Sequence, residues 1–169
     1  MSLPRATYTT VLFGTFAWCA ALFLAPVFSL SSGPLHAAGG VLYTFFHPIC
    51  HQLEERSFHV FGLPLAACAR CSSIYLAFLL GTLVYPTFSH SLRPSRLLLA
   101  IAVSPMLLDV VTGMLGVHNV TNLTRAMTGA FFGAIIPFVI IPTAIEAVEQ
   151  LLAGSTDPAR SDRFAHHNT

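Results

Sequence analysis

The sequence predicts an all-α, polytopic membrane protein with about four transmembrane helices and a short interfacial or re-entrant helix in the first outer loop. Of its 169 residues, 54% are apolar and only 9% are charged, whereas about a quarter of the residues of a soluble domain are charged. Several apolar runs reach the length of about 20 residues that crosses a bilayer. We therefore expect one transmembrane domain over residues 1–152 and a polar, disordered cytoplasmic tail over residues 153–169.

The charges exclude one class of partner. Eight arginines and no lysine stand against seven acidic residues, which gives a formal net charge of +1. Nucleic-acid binding requires a dense basic surface that neutralises phosphates, and this chain has none. We expect contact with the lipid bilayer and with other membrane protein subunits, and no nucleic acid or nucleotide as ligand.

The first transmembrane helix is predicted over residues 8–30, an apolar run that ends at the sequence SSGP. A signal peptide is the competing interpretation, but its apolar region is usually about 7–15 residues long and its start carries more positive charge than Arg5 alone. Cys19 lies in the middle of this run. We expect it to be an inert buried thiol rather than a ligand.

A long connection follows over residues 31–66, and long connections inside compact domains are often functional. Within it, residues 41–52 (VLYTFFHPICHQ) are apolar but too few to span, which favours an interfacial or re-entrant helix. Pro48 is expected to bend this helix just before Cys50. Three charged residues that follow are expected to be ordinary solvated surface charges: Glu54, Glu55 and Arg56.

Three further apolar runs complete the predicted bundle. In chain order they cover residues 66–88, 96–116 and 123–152. Pro137 and Pro142 are expected to kink the last of them, since proline lacks the N–H that a helix interior requires. Gly129 and Gly133 form a small-xxx-small face, which allows close approach of a neighbouring helix.

The positions of the arginines predict the orientation in the membrane. With four spans, one side of the membrane carries five arginines: Arg5, Arg93, Arg96, Arg160 and Arg163. The other side carries Arg56, together with Arg70 and Arg125 at the ends of transmembrane helices. The positive-inside rule then places both termini in the cytoplasm of an inner or plasma membrane. The cysteine-rich stretch from residue 47 to residue 75 would face the extracytoplasmic side, where thiols are normally oxidised or bound to metal.

This stretch contains the residue types of a metal site. Cys68 and Cys71 form a C-x-x-C pair, a spacing that suits both metal chelation and dithiol redox chemistry. Adding Cys50 and His51 gives three thiolates and an imidazole, the ligand set of a closed structural zinc site, with His47 as an alternative fourth ligand. Zinc is the predicted cofactor, and iron also accepts these ligands. The metal would staple the loop to the second transmembrane helix.

Two other interpretations of the cysteines stay open. One is a disulfide without metal. The other is a thiol:quinone oxidoreductase that uses Cys68 and Cys71, with Arg70 lowering the thiolate pKa and a quinone as the cofactor. A relay needs a second cysteine pair, however, and that face of the membrane offers only Cys50. The sequence also lacks a catalytic serine constellation, a phosphate-binding glycine loop and a haem attachment motif, which favours a non-enzymatic protein.

A second polar cluster is predicted beneath the cysteines. Asp109 lies inside the third span, where an ionisable side chain is costly and usually paired, and Arg70 and Arg125 lie at a similar depth. We expect an ion pair of Asp109 with one of these arginines, and Thr128 nearby. The pair either has a purely structural role or, with the surplus arginine, forms a site for an anion or a lipid headgroup.

Two motifs resemble those of a known protein family. Residues 50–57 follow the pattern C-H-Q-x3-R-S, and residues 68–75 follow C-x-R-C-x-x-I-Y. Over residues 40–135 the chain is similar to a family of small bacterial and archaeal integral membrane proteins of unknown function. Further residues that contribute to the resemblance are Asp109, Gly113, Gly116 and the N-x2-R-x2-T-G run at 122–129.

The chain departs from the family pattern at two positions. Ser73 stands where the family has glycine, and Val110 follows the aspartate where glycine is common. Both positions concern tight packing rather than the proposed ligands. The resemblance implies a membrane location and singles out the same polar residues, and it implies no reaction. We therefore expect an accessory or interaction subunit of a larger membrane assembly, or a small-ligand binder.

Overall fold

The computed structural model describes residues 3–88, 95–117 and 119–155. Over these residues it contains six α-helices, one 3-10 turn (Glu54–Arg56) and one two-stranded antiparallel sheet. The helices are α1 (Leu3–Ser29), α2 (Pro34–Phe46), α3 (Ala69–Phe88), α4 (Arg96–Met114), α5 (Asn122–Ile135) and α6 (Pro137–Ser155). The strands are β1 (His59–Val60) and β2 (Leu63–Pro64). The expectations for Arg93, Arg160, Arg163 and the tail after residue 155 lie outside the described residues.

Four helical segments are long and apolar enough to cross a membrane, as the sequence predicted. They cover Pro4–Ser29, Ala69–Phe88, Arg96–Met114 and Asn122–Ala153. The last segment consists of α5 and α6, which are separated at Ile136. Pro137 follows directly, and its missing N–H removes one hydrogen bond of the helix at this point. Pro142, the other predicted kink, lies inside α6 without interrupting it.

The short helix of the first connection is present, but at other residues than predicted. Residues 41–52 were expected to form it, whereas α2 begins at Pro34 and ends at Phe46. Proline is favoured in the first helical turn, where its missing N–H costs nothing. α2 runs back along α1, since Gly39 in the middle of α2 lies against Ser29 at the end of α1, and Phe46 at the end of α2 contacts Trp18 further back in α1. Cys50 follows four residues after the end of α2 and therefore lies close to this part of α1.

The predicted small-residue face joins α5 to α3. Gly129 and Gly133 are buried, and a Cβ atom at Gly129 would lie 2.6 Å from the carbonyl oxygen of Arg70. A Cβ atom at Gly133 would meet the backbone of Ile74, one turn further along α3. The prediction of close helix packing at these glycines is confirmed. It places the start of α3 beside the middle of α5, at the end of the bundle where the cysteines lie.

Candidate metal centre and the adjoining arginine cavity

The structure brings three of the four cysteines together. The Sγ atoms of Cys50, Cys68 and Cys71 all lie within 4.8 Å of one another. Cys50 is buried in the turn after α2, while Cys68 and Cys71 are half-buried at the start of α3. The backbone N–H of Cys68 donates a hydrogen bond to the Cys50 sulfur at 3.2 Å. Two segments far apart in sequence therefore present three sulfur atoms to one point.

The side-chain amide of Gln52 fastens these two segments to each other. Its Nε2 donates hydrogen bonds to the carbonyl oxygens of Tyr43 and Ala66, each at 2.8 Å. Gln52 itself has a φ of 51°, a left-handed conformation that non-glycine residues seldom adopt. The turn that follows Cys50 is thus held by hydrogen bonds that satisfy two backbone acceptors, one at the end of α2 and one before α3.

A small β-hairpin returns the chain to the start of α3. β1 and β2 pair in antiparallel fashion around Phe61 and Gly62, both with positive φ, which matches the turn type that favours hairpins. The backbone N–H of Leu65 extends the pairing to the Phe58 carbonyl at 2.8 Å. The Tyr43 hydroxyl donates to the carbonyl of Pro64, which anchors the hairpin to α2.

Apolar side chains surround the cysteine cluster on its inner side. The cluster of buried residues that includes Cys50 also contains Leu22, Ala25, Phe46, Ala66 and Ala67. Trp18 packs against this group and makes edge-to-face contacts with Phe46 and Tyr75 at centroid distances of 5.1 and 5.6 Å. The cysteines therefore lie between an apolar core and a loop, and Cys50 is the one of the three that is buried.

The thiols act on one another electrostatically. Hydrogen bonds from the thiols of Cys68 and Cys71 lower the pKa of the Cys50 thiol well below its usual range, and the Cys68 backbone N–H adds to this effect. The thiolate rather than the thiol is the metal ligand and the nucleophile. Cys50 is thus the cysteine of the loop that the surroundings favour most clearly as a thiolate.

The structure does not add a histidine to the three sulfurs. Over the described residues, the cluster with metal-ligand geometry contains the three cysteines alone. His51 is exposed and lines a cavity of about 330 Å³ that also borders Cys50, Cys68 and Cys71. His47 is exposed as well and lines a different groove, beside Tyr43 and Pro48. The identity of the fourth ligand stays a prediction.

Cys19 lies apart from the other cysteines, inside α1. Its side chain is 4% exposed, and its Sγ donates a hydrogen bond to the Tyr75 carbonyl oxygen at 3.4 Å. It is absent from the described group of close thiols. This agrees with the expectation that Cys19 is a buried thiol with a packing role.

The predicted ion pair beneath the cysteines forms between Arg70 and Asp109. The Arg70 guanidinium contacts the Asp109 carboxylate, and the two side chains are 20% and 5% exposed. Arg125 donates from Nη1 to the Asn122 side-chain oxygen at 3.3 Å. Thr128 donates within α5, to the Thr124 carbonyl at 2.9 Å. Of the two pairings that the sequence allowed, the structure contains the one with Arg70.

These polar residues border a second cavity. It has a volume of about 420 Å³ and is lined by Arg56, Arg70, Asp109, Arg125 and neighbouring residues of α4 and the following loop. Arg56, expected to be an ordinary surface charge, is about half-exposed and lines both this cavity and that of the cysteines. The C-H-Q-x3-R-S motif contains both Gln52 and Arg56, and was the only sequence signal of their positions.

The chain is similar to a protein family and to two archaeal proteins. Residues 50–139 match the model of a family described as "Predicted membrane protein (DUF2085)". An uncharacterized protein of Methanocaldococcus jannaschii is 34% identical over 148 residues, which cover 83% of this chain and 94% of that protein. An uncharacterized protein of Methanothermobacter thermautotrophicus is 33% identical over 88 residues, covering 50% of this chain and 77% of the relative. No solved structure matches the chain.

Proposed function

The chain belongs to this family of predicted membrane proteins, and we propose that within it Cys50, Cys68 and Cys71 hold a zinc ion, with His51 as the fourth ligand. The metal links the loop after α2 to the start of α3. The protein is then a non-enzymatic accessory or interaction subunit of a membrane assembly, or a small-ligand binder. The observation that carries this proposal is the convergence of three sulfur atoms within 4.8 Å.

The spacing of the sulfurs supports a tetrahedral metal. Zn–S bonds of about 2.3 Å in a tetrahedral site correspond to sulfur–sulfur separations of roughly 3.8 Å. Sulfurs that already lie within 4.8 Å need only a small adjustment to reach this geometry. His51 lines the cavity beside the three cysteines, and its imidazole has to turn toward the sulfurs to become the fourth ligand. Three thiolates and one imidazole leave no open position for a substrate, as in structural zinc sites.

The position of the three cysteines supports a structural role for the metal. The loop from residue 47 to residue 68 contains only a 3-10 turn and two two-residue strands among its regular elements. Regular secondary structure alone holds such a segment weakly, and metal binding can supply additional folding free energy. Arg70, between two ligands, would offset part of the negative charge of the three thiolates.

We further propose that the metal centre faces the extracytoplasmic side and that both termini are cytoplasmic. The support is the excess of arginines in the terminal segments and in the connection before α4, compared with the connections that contain the cysteines and Asn122. On the extracytoplasmic side, a bound metal would protect the three thiols from oxidation to a disulfide.

A second candidate function is supported by an apolar cavity below the cysteines. This cavity has a volume of about 410 Å³ and is lined by Trp18, Tyr75, Phe78 and Phe132, among others. Tyr75 lies one helical turn after Cys71, so a quinone ring in the cavity would approach the thiols. The reaction would oxidise Cys68 and Cys71 to a disulfide and transfer two electrons and two protons to the quinone, which leaves as the quinol.

Elemental analysis with thiol counting distinguishes the two candidates, on protein purified in mild detergent without chelators. The proposal predicts about one zinc or iron ion per chain, lost together with thermal stability when Cys50, Cys68 and Cys71 are replaced by serine. Cys19→Ser is the matched control and should retain the metal. Metal-free protein with two thiols that oxidise reversibly and reduce a quinone analogue would contradict the proposal and favour the oxidoreductase.

A further inference from the structure

Beyond the metal centre, we propose that the cavity bordered by Arg56, Arg70 and Arg125 binds a phosphate group. These three arginines come from the loop, from the start of α3 and from the start of α5. They line one cavity of about 420 Å³ together with a single acidic residue, Asp109. The proposal does not depend on the metal, because none of the four cavity residues is a proposed metal ligand.

The charges in the cavity do not balance. Three guanidinium groups and one carboxylate among the lining residues leave a formal excess of two positive charges. Arg56 also approaches Glu55, with Nε 3.6 Å from Oε1, but both side chains are at least half exposed. An ion pair in such an exposed position contributes little and releases the arginine easily. The cavity therefore attracts an anion even after its internal ion pair with Asp109 is formed.

The donors of Arg70 are only partly used by that ion pair. Its Nη2 contacts Asp109, while its Nε is buried without a hydrogen-bond partner among the described residues. Buried donors in native proteins are nearly always paired, so an orphaned guanidinium donor indicates a missing acceptor nearby. A phosphate group offers several acceptor oxygens and matches the planar fork of a guanidinium through paired hydrogen bonds.

One amide holds two of the arginines next to each other. Asn122 accepts a hydrogen bond from Arg125 at 3.3 Å and donates one from Nδ2 to the Glu55 carbonyl oxygen at 3.2 Å. Because Arg56 follows Glu55 directly, this amide fixes the loop beside the start of α5. The arginines are thus positioned before a ligand arrives, which reduces the entropic cost of binding.

The mouth of the cavity suits a phosphate that is part of a lipid. Met114 lines the cavity and is 83% exposed, and the neighbouring Leu115 and Val117 are 71% and 72% exposed. An apolar rim next to a basic cavity at the end of a membrane helix matches an anionic phospholipid, with its acyl chains beside α4 and its phosphate among the arginines. Free phosphate shares the same recognition chemistry and is the other source.

Binding assays on the whole chain, as purified in mild detergent, test this proposal with two probes. Inorganic phosphate is titrated by calorimetry, and phosphatidic acid is titrated by native mass spectrometry against phosphatidylcholine. We expect at least one phosphate-bearing probe to bind and Arg125→Gln and Arg56→Gln to weaken it by about tenfold or more. Arg96→Gln, at the other end of α4, is the matched control and should leave affinity unchanged.

The outcomes separate the two sources of the phosphate. Binding of phosphatidic acid alone identifies a lipid headgroup, and binding of inorganic phosphate identifies a free anion. Absence of binding for both probes or unchanged affinity in both cavity variants would overturn the proposal. Equal binding of phosphatidylcholine would overturn it too, because this lipid is zwitterionic and the excess of arginines should favour a net negative ligand. The metal content of each variant is measured in parallel, and it should equal that of the unmodified protein. A failure of the phosphate site is thereby distinguished from a failure of the metal centre.

Discussion

The backbone N–H of Cys68 donates a hydrogen bond to the sulfur of Cys50, and the two residues are 18 positions apart in the sequence. This contact closes the loop between α2 and α3. It also stabilises negative charge on Cys50, because an N–H donor favours the thiolate over the thiol. The same contact positions the Cys50 sulfur for a metal and favours the form that binds it.

Gln52→Ala is expected to weaken both the loop and the metal site. The substitution removes the Nε2 donor from the Ala66 carbonyl oxygen, whereas the Tyr43 carbonyl keeps the backbone N–H of His47 as a donor. Each unsatisfied buried acceptor costs about 1–3 kcal/mol. The measurements are the unfolding temperature in detergent and the zinc affinity by competition with a chelator. Gln150→Ala, an exposed glutamine of α6, should change neither quantity, and equal effects of the two substitutions would refute the role of Gln52.

Asp109→Asn should destabilise the protein more than removal of both charges does. The substitution leaves the Arg70 guanidinium, which is only 20% exposed, without its carboxylate. Breaking a buried pair from one side costs about 3–5 kcal/mol, whereas replacing both partners costs much less. A double-mutant cycle with Arg70→Gln, measured by denaturant unfolding in micelles, gives the coupling energy. If the changes in unfolding free energy caused by Asp109→Asn and Arg70→Gln simply add in the double variant, the ion pair has no energetic role.

Gly129→Ala is expected to separate α5 from α3. The added Cβ would lie 2.6 Å from the Arg70 carbonyl oxygen, which belongs to the helix backbone and cannot move aside. Overpacking of this kind costs about 1–3 kcal/mol. Gly14→Ala in α1 is the control, since no heavy atom lies within 4 Å of its added Cβ. Thermal aggregation of the two variants is compared, and a Gly14 variant that is no more stable than the Gly129 variant would contradict this account of the packing.

The proposed orientation predicts the behaviour of carboxy-terminal fusions. With both termini in the cytoplasm, a fusion to green fluorescent protein should fluoresce, and a fusion to alkaline phosphatase should be inactive, because each reporter matures on one side of the membrane only. The arginine distribution is the physical basis of this expectation. The reverse pattern, an active phosphatase and a dark fluorescent protein, would place the cysteines in the cytoplasm.

The transmembrane helices could be predicted because the bilayer imposes their length and composition. All four segments were found, with the first, α1, starting a few residues earlier than expected. The short α2 was placed incorrectly, since its apolar residues continue past Phe46 into the turn around Pro48. In an apolar chain, hydropathy does not show where such a helix begins or ends. Helix-terminal residues such as Pro34 decide the boundary instead.

The cysteine cluster was predictable because C-x-x-C spacing fixes two ligands on one helical turn and a third cysteine lay in the preceding loop. The ion pair of Asp109 was predictable for a similar reason, since an isolated charge in a membrane needs a partner. The position of Arg56 in the cavity beside Arg70 and Arg125 was not predictable. It depends on the hairpin and on the Asn122 contact with the loop, and neither leaves a periodic pattern in the sequence.

X-ray absorption spectroscopy at the zinc edge tests the central claim most directly, on protein purified in mild detergent without added chelator. The account predicts three sulfur neighbours at about 2.3 Å and one nitrogen neighbour at about 2.0 Å. Cys50→Ser should remove one sulfur from this shell, and Cys19→Ser should leave it unchanged. A zinc shell of oxygen and nitrogen alone, or stable protein that contains no metal, would contradict the claim that Cys50, Cys68 and Cys71 form a metal centre.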